Sequence, residues 1–204
     1  METFLSICLG IGLSAACGFR VFVPLLFLSI ASLSGHVTLA TGFDWIGTYP
    51  ALIAFSVATA LEIGAYYIPF LDNLLDSIAI PAAVVAGAMV TASCVTGLSP
   101  MLKWTLAIIA GGGAAATTQV VTTKLRALSS VSTAGMGNSF LATAEAGGSA
   151  GLSLVSVLWP VAGVILALLL LGACVVFIVY LSKLFLRWMK RTNGQSIAAA
   201  ATPG

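Results

Sequence analysis

The feature that most constrains this chain is a single charge in the wrong surroundings. Residues 3–33 form an apolar run, and Arg20, the only arginine or lysine among the first hundred residues, stands near its middle. An unpaired charge at membrane depth costs a few kcal/mol at least, so Arg20 requires a partner. Two further charges, Glu62 and Glu145, also lie inside apolar runs. The expectation is a set of membrane helices arranged to bring Arg20, Glu62 and Glu145 together.

The whole sequence supports a membrane setting. Of 204 residues, 60% are hydrophobic and 7% charged, with a mean hydropathy of +1.13. Soluble domains carry roughly a quarter charged residues, so the bilayer is the expected partner. The net charge of +2 comes with no basic patch apart from two helix ends and so gives no reason to expect a nucleic-acid partner. Cys8, Cys17, Cys94 and Cys174 stand singly in apolar segments, which argues against both a disulfide framework and a zinc site. The segment Leu13-Ser14-Ala15-Ala16-Cys17 has the outline of a lipoprotein cleavage site. It is preceded by Glu2 and by no basic residue, so cleavage is not expected.

A helix needs about 20 apolar residues to cross a hydrocarbon core of about 30 Å. Six such runs occur, at 3–33, 50–68, 80–98, 100–125, 139–158 and 160–186. The first is too long to cross straight, and Gly18 and Pro24 give it places to break. Gly111, Gly112 and Gly113 interrupt the fourth. The weakly hydrophobic fifth, with Gly135, Gly137, Gly147, Gly148 and Gly151, fits either a span or a re-entrant segment sheltered by protein. Broken or re-entrant stretches are thus expected near 18–24, 111–113 and 135–151.

Lys124 and Arg126 end the fourth run; Lys183, Arg187, Lys190 and Arg191 end the sixth. Six spans put those ends on one side, which the positive-inside rule makes cytoplasmic, together with both termini. The loop 35–49 would lie outside. Residues 192–204 lack the apolar content to fold and read as a disordered tail.

Displacing the chain by 99 residues sets Gly12, Ala15, Ala16, Arg20 and Val21 on Gly111, Ala114, Ala115, Gln119 and Val120. Later in each half, Leu61-Glu62-Ile63-Gly64 parallels Ala144-Glu145-Ala146-Gly147, and a proline-led helix follows at Pro81 and at Pro160. The expectation is an all-α membrane fold of two three-helix repeats, 1–98 and 99–191. Three helices per repeat make the halves inverted, the plan of many secondary transporters.

Gly18-Phe19-Arg20-Val21-Phe22-Val23-Pro24, Glu62, the segment Tyr67-Ile68-Pro69-Phe70-Leu71-Asp72-Asn73-Leu74-Leu75-Asp76-Ser77-Ile78, Pro81, Gly137-Asn138 and Glu145 together resemble the bacterial membrane family DUF4126 over nearly the whole chain. In that family's pattern a proline often follows the asparagine; here Ser139 does. The resemblance implies a bacterial inner-membrane protein and supplies no activity. Arg20-Val21-Phe22-Val23-Pro24 also bears a short likeness to the Arg-x-x-x-Pro element of the DedA family of lipid-carrier transporters.

Candidate site residues follow from chemistry. Arg20, Glu62 and Glu145 read either as a structural ion-pair lock or as a substrate or proton site, with Gln119 and Asn138 as polar members of the same pathway. Within the first half Glu62 is the nearer partner for Arg20, which would leave Glu145 uncompensated and able to carry a proton near neutral pH. Asp72 and Asp76, four apart on one helical face, read as solvated caps at the surface or as a cytoplasmic gate. No metalloprotease, serine-hydrolase or paired intramembrane aspartate motif is present, so an enzyme is not expected, and neither is a cofactor or metal. The classes left are a small transporter or channel for a solute or ion, a lipid-carrier transporter, or a non-catalytic scaffold. Two hundred residues enclose a path only thinly, which favours a homodimer. A reporter fused after Gly194 is expected to read cytoplasmic, and one inserted between Gly35 and Asp44 external. Finding both on one side would remove a span and the inverted repeat with it.

Overall fold

The computed structural model describes residues 1–133 and 136–200, the part beyond residue 183 by its backbone alone. The described residues are helical, with no strand among them. Eight α-helices follow in order: α1 (Glu2–Cys17), α2 (Phe22–Leu33), α3 (Tyr49–Ala65), α4 (Pro69–Cys94), α5 (Pro100–Leu106), α6 (Gly113–Thr133), α7 (Met136–Leu158) and α8 (Pro160–Ala200). A 3₁₀ turn, Asp44–Gly47, precedes α3, and a π-helical stretch, Ala107–Gly112, joins α5 to α6.

The run at 3–33 is two helices. Pro24 has no N–H to donate to the Arg20 carbonyl, and its ring crowds that carbonyl, so a helix through residues 20–24 is disfavoured and here it breaks, whereas α4 continues past Pro81. The turn closes with Phe19 and Arg20 amides on the Ala16 carbonyl, and α2 restarts at Phe22 with Pro24 harmlessly in its first turn. Near Gly111–Gly113 the helix widens into the π stretch without breaking. The third interruption does not occur: α7 runs unbroken from Met136 to Leu158, with Gly135 outside the described residues. Nor does the third span begin at Ile80. Helix α4 starts at Pro69 and takes in the acidic turn, with Pro81 in its interior.

Polarity is arranged for a bilayer. Ser14, Arg20, Thr91, Thr118, Gln119, Thr122, Arg126, Ser149 and Ser153 are buried, whereas Ile53, Leu61, Val85, Ile109, Leu169 and Val176 face outward. Four helical stretches are long and apolar enough to cross a membrane: Phe70–Cys94, Pro100–Val131, Gly137–Leu158 and Pro160–Phe177. Helices α1, α2 and α3 are shorter apolar helices. The chain is a membrane protein.

Helix α1 is the axis on which α2, α4, α6, α7 and α8 pack. Its Leu13 and Cys17 join Leu28 of α2, Ile46, Phe55 of α3 and Val90 of α4, while its Ala15 and Ala16 meet Ala114, Leu152 and Ala167 of α6, α7 and α8. Close approach depends on missing side chains, as expected where packing and not the hydrophobic effect holds helices together. The Ser14 hydroxyl faces the carbonyls of Gly87 (3.1 Å) and Gly111 (2.7 Å), so α1, α4 and the π stretch meet at one oxygen. A Cβ on Gly87 would fall 2.6 Å from the Ala115 Cβ and 2.8 Å from the Gly111 carbonyl; one on Gly113 would meet nothing within 4 Å. Gly87→Ala is therefore expected to cost about 1–3 kcal/mol by overpacking. Gly113→Ala is expected to be neutral or better, and thermal unfolding of the purified pair in detergent measures the difference.

Candidate functional site

The α1–α2 break, the α3–α4 turn, the second half of α6 and the middle of α7 deliver charged side chains to one place. Arg20 and Arg126 are 1% and 2% exposed, the two largest side chains fully enclosed by the protein. Glu145 lies between them. Its carboxylate accepts from both Nε (3.1 Å) and Nη2 of Arg126, a fork-on-fork pair, and its Oε2 sits 3.4 Å from Arg20 Nη2. Arg126 Nη1 donates to Asp72 Oδ1, and Asp76 stands 4.0 Å away. Both guanidiniums rest on the Tyr66 ring, with Cζ atoms 3.7 Å (Arg20) and 4.1 Å (Arg126) from its centroid.

The two arginines are unequally satisfied. All three nitrogens of Arg126 hold carboxylate oxygens. Arg20 uses only Nη2, which also donates to the Ala142 carbonyl at 2.9 Å, while its Nε and Nη1 are enclosed and have no hydrogen-bond partner among the described residues. Arg126 is built into the scaffold, whereas Arg20 keeps hydrogen-bonding capacity in reserve.

Glu62 does something the sequence did not suggest. It makes no ion pair with Arg20; Glu145 takes that place from the other half of the chain. The two Glu62 oxygens accept the backbone amides of Val21 (2.7 Å) and Phe22 (3.0 Å). These are orphan donors at the start of α2, whose N-cap, Val21, has no side chain able to serve them. A carboxylate at a helix N-terminus also complements the positive end of the helix dipole. The break that exposes Arg20 is thus closed by Glu62.

The acidic turn is also relocated. Asp72 is 4% exposed, not a solvated cap, because Arg126 neutralises it and Asn138 Nδ2 donates to its second oxygen at 3.1 Å. Asn138 also donates to Ser130 Oγ at 3.0 Å, and Asp76 is half-buried at the rim. Gln119 is buried one helical stretch away, its Nε2 donating to Thr123 Oγ1 at 3.3 Å, and it joins Glu62 in lining a cavity. The cluster therefore gathers Arg20, Glu145, Asp72, Asp76 and Asn138, with Glu62 and Gln119 on its flank.

Arg126 and Tyr66 are the members that sequence reasoning missed. Arg126, next to Lys124, passed for a cytoplasmic helix end. The signal was in the spacing: Ala115, Thr118, Gln119, Thr122 and Arg126 recur at three and four residues and form the buried stripe of α6. Nothing in the local sequence of Tyr66 marks a ring that carries two cations.

Removing one partner of a buried, hydrogen-bonded ion pair costs about 3–5 kcal/mol. Arg126→Gln, which leaves Glu145 and Asp72 facing each other, is expected to lose that much in thermal or denaturant unfolding. Glu62→Gln keeps one acceptor for the α2 amides and is expected to lose about 1 kcal/mol. Because Glu62 and Arg20 share no bond, Arg20→Gln should add to this loss and not rescue it; rescue would show that the two are paired after all.

Comparison with known proteins gives a family without an assigned role. No curated protein and no solved structure matches the chain. The family model described as a domain of unknown function, DUF4126, matches residues 7–180, and the chain belongs to that family.

Proposed function

We propose that the protein is a small polytopic transporter or channel that moves a small solute or ion through the site around Arg20 and Glu145. The observation that carries this reading is the contrast between the arginines: an enclosed guanidinium with two nitrogens unpartnered among the described residues, beside one whose three nitrogens are each bonded to a carboxylate. Charges within membrane helices are costly, and where they persist they mark substrate or ion pathways. A purely structural lock would bond both.

Charge balance supports coupling to protons. Four carboxyl groups, from Glu62, Asp72, Asp76 and Glu145, stand in or beside a cluster with two guanidiniums. The carboxyl surplus gives protons a place to ride, with Glu145, shared between Arg20 and Arg126, the member whose partners can change. Asp76, half-buried beside Arg126, is the gate in this reading.

Helices α1 and α2 form a hairpin whose ends return to one side, where Glu2, Leu5 and Ser6 line a pocket with His36, Val37 and Thr38. The topology we infer is this hairpin followed by five spans, α3, α4, α5–α6, α7 and α8, in the bacterial inner membrane, in place of the six spans in two inverted repeats, 1–98 and 99–191, with both termini cytoplasmic that the sequence led us to expect. A homodimer would thicken the walls of so small a bundle.

A specific observation also favours a second reading. The bonding of Arg126 to α4 and α7 is what a membrane scaffold would use to lock its helices. The two readings separate on flux. In proteoliposomes with an imposed pH gradient and a panel of small solutes and ions, wild-type protein is expected to move at least one of them. Arg20→Gln should remain folded, with a smaller stability loss than Arg126→Gln, and lose that flux. No flux for any solute from folded wild-type protein, or flux unchanged in Arg20→Gln, would hand the lead to the scaffold.

A further inference from the structure

A cavity of about 520 Å³ opens between α3 and α4, beside the α1–α2 break. The two helices are joined by the short turn after Ala65 and splay apart from it. Phe19 and Phe22 line the cavity from the break, Ala58 and Leu61 from α3, and Ile78 and Ala82 from α4. Leu61 and Ile78 are 68% and 55% exposed on the outward face, so the rim of the cavity is a surface that meets lipid. The polar residues in the lining of this apolar space, Glu62, Tyr66 and Gln119, are all buried.

We infer that this cavity binds a hydrophobic organic cation, a quaternary ammonium or phosphonium-like group carried on apolar substituents, entering sideways from the bilayer between α3 and α4. The inference rests on the reading of the neighbouring cluster as a solute site and names the class of solute. Three observations fix the charge and the shape. The volume lies within the range of about 300–1,000 Å³ common for small-molecule sites. The acidic wall residue is Glu62, whose carboxyl oxygens still have lone pairs after accepting the Val21 and Phe22 amides, a set of acceptors that suits a cation and not an anion. Phe19 and Phe22 add aromatic faces of the kind that recognise such cations, whereas Tyr66 already carries Arg20 and Arg126.

A small inorganic cation fits poorly. It would have to exchange its water for oxygen ligands, and among the described residues no three His, Cys, Asp or Glu side chains converge to hold a metal. An organic cation with its charge spread under apolar groups has little water to lose. Its apolar body matches the walls, and its charge meets Glu62.

The test is equilibrium binding of radiolabelled tetraphenylphosphonium to the full-length protein in nanodiscs, with empty nanodiscs as blank and tetraphenylborate as the near-isosteric anion. Saturable binding of the cation and none of the anion is expected. Ala82→Phe, which fills the cavity from α4, should abolish it. Glu62→Gln should weaken it at least about tenfold. Ala58→Phe blocks from the opposite wall if the α4 variant does not fold. Equal uptake of cation and anion, or binding unaffected by both blocking variants, would overturn the inference and leave a slot for lipid chains. Flux of another solute in the absence of tetraphenylphosphonium binding would sink this inference alone, and binding without any flux would sink the transport reading alone.

Discussion

The structure depends on one carboxylate shared between two guanidiniums. Glu145 is where α7 meets the broken first helix through Arg20 and α6 through Arg126, and Arg126 carries the connection on to α4 through Asp72. In a bilayer there is little hydrophobic gain from pressing one apolar helix on another, so directional polar contacts and close backbone approach must hold the bundle. The interior follows that rule: serines and threonines bonded to carbonyls, glycines at the crossings, and one charged knot. Taking two arginines out of water is costly, and the knot tolerates them because four separate chain segments, two bearing the arginines and two their carboxylates, meet there. None of those segments could bury its charge alone.

The division of labour between the arginines gives the site its character. A fully bonded guanidinium fixes geometry, and a partly bonded one can accept a guest without first breaking anything. Setting both on the same tyrosine ring and the same carboxylate couples them, so a change at Arg20 alters the field felt by Arg126 and by the helices it ties.

Much of this was legible before any coordinates, and the failures have physical causes. The break at residues 18–24 follows from one glycine and one proline, and the burial of Arg20 and Glu145 from their apolar surroundings. What was not legible was pairing across the chain. Sequence proximity favoured Glu62 for Arg20, but Glu62 is claimed by the amides that the break leaves bare, and Arg20 turns to α7. Asp72 read as a surface charge because its partner lies 54 residues away in a helix whose other basic residues look cytoplasmic. Local patterning marks which positions cannot remain unpartnered, while the choice among partners is made by the packing of helices distant in sequence.

The capping of α2 by Glu62 bears on how the chain is made. Helix α2 begins with amides whose acceptor lies 40 and 41 residues further on, in α3. During synthesis α2 is complete before its acceptor exists, and amides left bare in hydrocarbon cost several kcal/mol. The first run therefore has reason to wait, in the insertion machinery or at the water interface, until α3 arrives. The first two elements then enter the bilayer as a pair, with Glu62 as the latch that releases them together.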